Sequence, residues 1–204
     1  MITVQNEKRV LTYVTGLLHF FGAMTLNDLF LRVSEVIKGI DRKDFQIIVE
    51  QNVLDDHSPY VFDLDEDVCF DIEVDDSEWV LEQQHQHGAV PFRTINEDEA
   101  ACIVDDRYPL LWSSEELAFF TWLEERCGND GDLALALILD YAALLKNGLA
   151  PLELAKKIVK EMELSGVEEV QEAAEIIVEF AAATPLWTLK GWRENEVALE
   201  DTIV

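Results

Sequence analysis

The chain has 204 residues, of which 49% are hydrophobic, enough to bury the core of one or two compact domains. Its net charge of −27 at pH 7 disfavours nucleic-acid binding, because affinity for a phosphate backbone grows with the number of phosphates that Lys and Arg neutralise. No apolar run approaches the length of a membrane-spanning helix, about 20 residues, and the first residues lack the pattern of a secretory signal. We therefore expect a soluble cytoplasmic protein without a membrane segment.

The negative charge is distributed unevenly along the chain. Residues 1–52 balance acidic and basic side chains, whereas residues 53–106 contain seventeen acidic residues and one basic residue. Residues 107–204 contribute a further net charge of −11. A nucleic-acid surface is therefore expected only in the neutral first quarter, while the remainder would attract cationic partners.

The first 52 residues predict three helices. Apolar residues recur at helical spacing over Glu7–Phe21, and Thr25 is placed to cap a second helix that ends at Gly39. Asp41 is placed to cap a third helix over residues 42–51. The inward face of this third helix is predicted to consist of Phe45, Ile48 and Val49.

A β-hairpin is predicted directly after these helices. The helical pattern breaks at residues 55–59, and two runs rich in β-forming residues follow at 60–64 and 68–74, with an acidic turn at 65–67. Three helices followed by a hairpin is the order of a winged-helix module, whose helix-turn-helix would be the second and third helices. We therefore predict a winged-helix-like domain over residues 1–76.

Beyond this hairpin the sequence predicts helices alone, so that residues 77–204 form a helical bundle domain. Asn96 caps one of these helices, and Ser113 with Glu116 forms a capping box for the next. The predicted helices span residues 77–87, 97–104, 113–127, 132–147, 151–162 and 167–183. The helix over 132–147 is apolar on most sides, which predicts that it is the most buried element of the bundle. The expected fold class is mainly α (α+β).

The C-terminal residues carry a resemblance. Residues 183–196 read Ala-Thr-Pro-Leu-Trp-Thr-Leu-Lys-Gly-Trp-Arg-Glu-Asn-Glu, and Pro-Phe-Arg at 91–93 and Tyr-Pro-Leu at 108–110 precede the last helices. This arrangement resembles uncharacterised bacterial proteins of the Firmicutes type, which combine a winged helix with a helical bundle and usually end in a SEC-C zinc motif. The resemblance implies the architecture. It implies no zinc site here, because no Cys follows Cys127 and the zinc motif is absent.

Metal-binding patterns are weak, and we expect no metal and no cofactor. The three cysteines are widely spaced without a CxxC pair, which favours reduced, mostly buried thiols: Cys69, Cys102 and Cys127. His85 and His87 are two residues apart and would point to different faces of a helix. The acidic run from Asp63 begins like a calcium loop but has Val68 at the position that requires Gly.

Catalytic patterns are also missing, since the sequence has no nucleophile elbow, phosphate-binding loop, HExxH motif or Cys-His-Asn signature. Carboxylate pairs such as Glu115-Glu116 lie in amphipathic helices and are predicted on their solvated face. An enzyme of unrecognised type is therefore only a secondary alternative.

The third helix carries the side chains that a DNA-reading winged helix places near the start of its recognition helix: Arg42, Lys43 and Gln46. Asp41 and Asp44 interleave with them, and the predicted wing would present four carboxylates to phosphate: Asp63, Asp65, Glu66 and Asp67. The three residues of the helix are therefore candidate contacts to nucleic acid or to a partner, and the charge favours a protein partner.

The sequence favours a non-enzymatic protein-interaction or regulatory module. A winged-helix DNA-binding transcriptional regulator is the first alternative, and an acidic surface that imitates nucleic acid in a basic protein groove is a further one. The candidate partner contacts are the four acidic wing residues and, if exposed, the tail aromatics Trp187 and Trp192, because interfaces favour aromatic side chains.

Overall fold

A computed structural model describes residues 4–53 and 58–200, so most of the predicted break at 55–59 lies outside the described residues. The described chain is mainly helical with one small antiparallel sheet, which confirms the predicted fold class. It forms two compact units, the first ending at Leu111 and the second beginning at Trp112.

The first unit confirms the three predicted helices and the hairpin. Thr25 caps the second helix by accepting a hydrogen bond from the amide of Asp28, and Asp41 accepts one from the amide of Asp44 at the start of the third. The elements described in this unit are α1 (Val4–Phe21), β1 (Ala23–Thr25), α2 (Leu26–Val36), α3 (Arg42–Val53), β2 (Tyr60–Asp63), β3 (Val68–Asp71), α4 (Ser77–Gln86), α5 (Glu97–Val104) and one turn of 3-10 helix (Tyr108–Leu110).

The sheet contains one strand that the sequence pattern did not predict. The strand order is β1-β3-β2 with both pairs antiparallel, and β1 pairs Met24 with Cys69 of β3. The amide of Leu26 also donates to the carbonyl of Asp67, 2.9 Å away. A three-residue strand is too short to show alternation, and β1 is extended because β3 lies beside it.

The core of the first unit surrounds α1. Buried apolar residues of α1, α2 and α3 form one cluster with residues of the hairpin: Val14, Leu17, Leu18, Phe21, Leu29, Val33, Phe45, Ile48, Val49 and Tyr60. The predicted inward face of α3 is therefore confirmed.

The first unit extends well beyond the predicted boundary after residue 76. Helix α5 packs along α1, and its Ala100 and Ile103 belong to the core cluster of the first unit. The side chain of Gln84 on α4 is buried and donates a hydrogen bond to the carbonyl of Phe21, 2.6 Å away. Helices α4 and α5 therefore complete the first core, because they supply surface that α1 and the sheet would otherwise expose to water.

The second unit is a ring of four helices followed by a short fifth one. Helix α6 contacts α7 and α9, and α8 contacts the same two helices. The elements are α6 (Ser114–Arg126), α7 (Gly131–Lys146), α8 (Pro151–Glu161), α9 (Val167–Ala183) and α10 (Glu194–Glu200). Phe119 lies at the centre, with its ring stacked 4.3 Å from that of Phe180. The predicted helical bundle is thus present, with α10 as an element that was not predicted.

Helix α7 has the smallest share of exposed residues among the four helices of the ring, as predicted for residues 132–147, but it is not covered on most sides. One stripe of its side chains is buried: Ala134, Ile138, Tyr141 and Leu145. Leu133 is 48% exposed, and Ala136 and Asp140 are also exposed. In a ring of four helices each helix meets two neighbours, so only one face of α7 is covered although most of its residues are apolar.

Candidate functional site

Arg42, the leading candidate for DNA contact, is held by its own chain. Its Nη1 donates to Oδ1 of Asn27 on α2, 2.7 Å away, and its Nη2 lies 3.9 Å from Oδ2 of Asp67 in the hairpin turn. The guanidinium also lies over the ring of Phe30, 5.5 Å from its centroid. Arg42 therefore links α2, α3 and the hairpin, and its charge is partly neutralised.

The remaining candidates on α3 present little positive charge. Gln46 donates from Nε2 to Oε1 of Glu50, 2.7 Å away and one turn along the helix. Lys43 is exposed, and it lies between Asp41 and Asp44 in the sequence. A phosphate approaching this helix would therefore meet at least as many carboxylates as cations.

The four acidic hairpin candidates are all exposed: Asp63, Asp65, Glu66 and Asp67. They lie at the end of β2 and in the turn between β2 and β3. The structure thus places them together at the tip of one hairpin.

Exposed aliphatic side chains lie on this same hairpin, and the sequence pattern did not single them out. Leu64 in the turn is 73% exposed, Ile72 after β3 is 62% exposed, and Val61 on β2 is 37% exposed. Val61 is opposite Phe70 in the antiparallel register, so that the two side chains share one face. Alternation along β2 was the available signal, because it places Val61 opposite to the buried Tyr60 and Phe62.

Trp187, a candidate partner contact only if exposed, is buried and is therefore not available to a partner. Its side chain is 1% exposed, and Nζ of the buried Lys146 lies 5.5 Å from its ring centroid. Trp192 is half-buried, and its carbonyl accepts a hydrogen bond from the amide of Leu186. The tail aromatics therefore serve to pack residues 184–193 within the second unit.

A partly buried ion pair fixes the tail, and one of its partners does not lie where the sequence pattern predicted. Glu116 is 6% exposed, although the spacing predicted it on the solvated face of α6. Its Oε2 accepts hydrogen bonds from the amide of Ser113 and from Nη2 of Arg193, 3.2 Å away. Burial is the largest influence on this carboxyl and raises its pKa above the ordinary value, while the amide and Arg193 oppose that shift.

Within the described residues, no group of three or more His, Cys, Asp or Glu side chains is placed to hold a metal ion. His85 is exposed, whereas Nδ1 of His87, directly after α4, lies 2.9 Å from the carbonyl of Gln83 in that helix. Cys69 and Cys102 are buried, and burial raises the pKa of the Cys69 thiol to about 12. Such a thiol is a poor nucleophile.

Two features remain as starting points for the enzyme alternative. Nδ1 of His19 lies 3.9 Å from Oδ2 of the buried Asp71. The two side chains form an ion pair when the imidazole is protonated. A cleft of about 690 Å³ also lies between α1 and α5, where Arg9 pairs with Glu97. The hydroxyl of Tyr13 in this cleft donates to the carbonyl of Ile95, 2.8 Å away, and is thereby engaged in packing.

None of the described helices combines the length and the apolar character that crossing a membrane requires. No protein-family model, no curated protein and no solved structure matches the chain. The candidate residues of the first unit lie on α3 and on the exposed β2–β3 hairpin.

Proposed function

We propose that the first unit contains a winged-helix module that docks a protein partner instead of reading DNA. The element order α1-β1-α2-α3-β2-β3 with the strand order β1-β3-β2 supports the winged helix, in which α3 would be the recognition helix and the β2–β3 hairpin the wing. The resemblance to Firmicutes-type proteins with a winged helix and a helical bundle supports the same assignment.

The main support for a protein-docking role is the position of Arg42. A DNA reader needs free Arg and Lys side chains on the recognition helix, since each neutralised phosphate contributes to affinity. Arg42 instead spans Asn27 and Asp67 of its own chain, and Gln46 pairs with Glu50. Lys43 would have to supply most of the phosphate contact on this helix.

The charge of the hairpin supports the same conclusion. In a DNA-bound winged helix the wing lies beside the phosphate backbone, and here it carries Asp63, Asp65, Glu66 and Asp67. Screening at physiological salt reduces repulsion beyond about 8 Å, but these side chains would lie closer to phosphate than that. A protein partner with a basic surface would meet attraction at the same place.

The discriminating experiment is fluorescence anisotropy of labelled duplex DNA with the full chain at 150 mM salt. We expect no binding at micromolar protein, because one exposed lysine on α3 gives too few phosphate contacts. The informative variant is Lys43→Ala, since Arg42→Ala would also loosen the hairpin. The matched control is Lys156→Ala, which removes an exposed lysine of the second unit that pairs with Glu153. Sequence-selective binding that Lys43→Ala abolishes and Lys156→Ala preserves would establish the DNA-binding regulator instead.

A further inference from the structure

We infer that the partner of the β2–β3 hairpin is a basic protein surface with an apolar socket that receives Leu64. This inference rests on the proposed function, and it names the chemistry of the partner and the side chain that anchors it. The surface has two parts: a hairpin patch, formed by Val61, Leu64, Phe70 and Ile72, and an acidic rim, formed by Asp63, Asp65, Glu66 and Asp67.

Three aliphatic side chains of the hairpin patch are exposed. Leu64 at the tip is the most exposed, and Ile72 at the base and Val61 in the middle of the hairpin follow. Each strand has four residues, and Leu64 and Ile72 lie just beyond opposite ends of the hairpin strands, so the patch extends over more than the length of one strand, about 13 Å. Single exposed aliphatic residues are common, but several on one short hairpin are typical of an interaction site.

The tip that carries Leu64 is held in place before any partner binds. Oδ1 of Asp63 accepts hydrogen bonds from the amides of Asp65 and Glu66, at 2.9 and 3.2 Å. The carbonyl of Asp67 accepts from the amide of Leu26 on α2. Because the turn is ordered in advance, binding loses little conformational entropy at this site.

Charge selects the class of partner. Residues 63–78 contain nine acidic residues and no Lys or Arg. A second copy of this chain would bring the same acidic hairpin on a body of net charge −27, and anionic membranes or nucleic acids would be repelled as well. A basic protein surface is attracted, and an apolar socket within it would bury Leu64 at the centre of a polar rim, as interfaces commonly do.

The test uses two synthetic peptides of equal positive charge, one an amphipathic Lys/Leu helix and the other its Lys/Ser counterpart. We measure binding to the full chain by fluorescence anisotropy at 150 mM salt. The Lys/Leu peptide is expected to bind on the order of tenfold more tightly, and Leu64→Ser should remove that difference, since burying one leucine accounts for such a factor. The matched control Leu152→Ser, at an exposed leucine of α8, should leave it unchanged.

The acidic rim is tested with Asp65→Asn combined with Glu66→Gln. This pair should weaken both peptides and reduce the salt dependence of binding. The control pair, Glu168→Gln with Glu169→Gln, removes two exposed carboxylates of α9 and should have little effect. Amide NMR shifts caused by the Lys/Leu peptide should map to residues 60–72.

The outcomes separate this inference from the proposed function. Three results would overturn the inference alone: a preference for the Lys/Leu peptide that Leu64→Ser leaves intact, equal losses from the rim pair and its control pair, or no binding of either peptide. Duplex DNA that binds the full chain in the absence of peptide would overturn the proposed function. Sedimentation showing a dimer that Leu64→Ser dissociates would assign the hairpin to a second copy, and would overturn the basic partner.

Discussion

Gly16 of α1 faces Ala100 of α5 so closely that a Cβ at Gly16 would lie 2.4 Å from the Cβ of Ala100 and 2.6 Å from its Cα. Real side chains do not approach backbone to that distance, so one of the two helices would have to shift. The absent side chain at Gly16 therefore sets the separation of the two helices, and with it the contact that makes α5 part of the first unit.

Gly16→Ala should destabilise the first unit by about 2 kcal/mol, because the cost of overpacking exceeds the gain of about 1 kcal/mol that Ala brings to a helix interior. Urea unfolding followed by circular dichroism measures the change. Gly166→Ala serves as the control, since its new Cβ would meet its nearest neighbour at an ordinary 3.6 Å. It should stay within about 1 kcal/mol of the wild type. An equal stability of both variants would show that α1 and α5 are not closely packed.

Arg193→Ala should destabilise the second unit by about 3 kcal/mol at pH 7, because it leaves the buried carboxylate of Glu116 without its cation. The substitution also removes the hydrogen bond from Nε of Arg193 to the carbonyl of Ala183. Lys156→Ala is the comparison at an exposed pair and should cost at most about 1 kcal/mol.

The loss in Arg193→Ala should diminish on acidification. Burial raises the pKa of Glu116 in the folded chain, and removal of Arg193 should raise it further. Protonation of Glu116 then favours the folded state: this stabilisation is complete below the ordinary carboxyl pKa of 4.5 and is lost as the pH rises through the raised value. The free energy of unfolding in urea, measured at a series of pH values between about 5 and 8, shows the effect. Adding Glu116→Gln should abolish this pH dependence, and a loss independent of pH would contradict the assignment.

Alkylation should distinguish the three cysteines. Cys69 and Cys102 are buried and Cys127 is half-buried, and burial raises the pKa of Cys69 to about 12. With iodoacetamide at a mildly alkaline pH of about 8 we therefore expect labelling at Cys127 first in the native chain, and at all three in urea. Peptide mapping by mass spectrometry identifies the sites, with Cys127→Ser as the control. Labelling of Cys69 as fast as Cys127 would show that the sheet opens readily.

Purified protein should contain no stoichiometric zinc after dialysis. The cysteines are scattered, and the described residues offer no suitable group of ligands. Elemental analysis provides the measurement. A content near one zinc per chain would contradict the expectation, and His85→Ala and His87→Ala would then identify whether that segment supplies the ligands.

Local features of this protein were determined by the sequence alone. Asn96 with Glu99 and Ser113 with Glu116 form the capping boxes that start α5 and α6, because both partners of each hydrogen bond are three residues apart. The hairpin turn and the buried face of α3 likewise follow from short-range patterns. The concentration of negative charge in the hairpin is a property of composition and needs no tertiary structure.

Only the tertiary structure decided the features that depend on residues distant in sequence. Strand β1 exists because β3 pairs with it, and α5 joins the first unit because Gly16 lets Ala100 approach α1. Arg42 is tied to Asn27 and Asp67 in separate elements, and Glu116 meets Arg193 across 77 residues. Periodicity shows which side of an element is apolar, but burial and pairing depend on which other element reaches that side, and chain folding alone sets those distances.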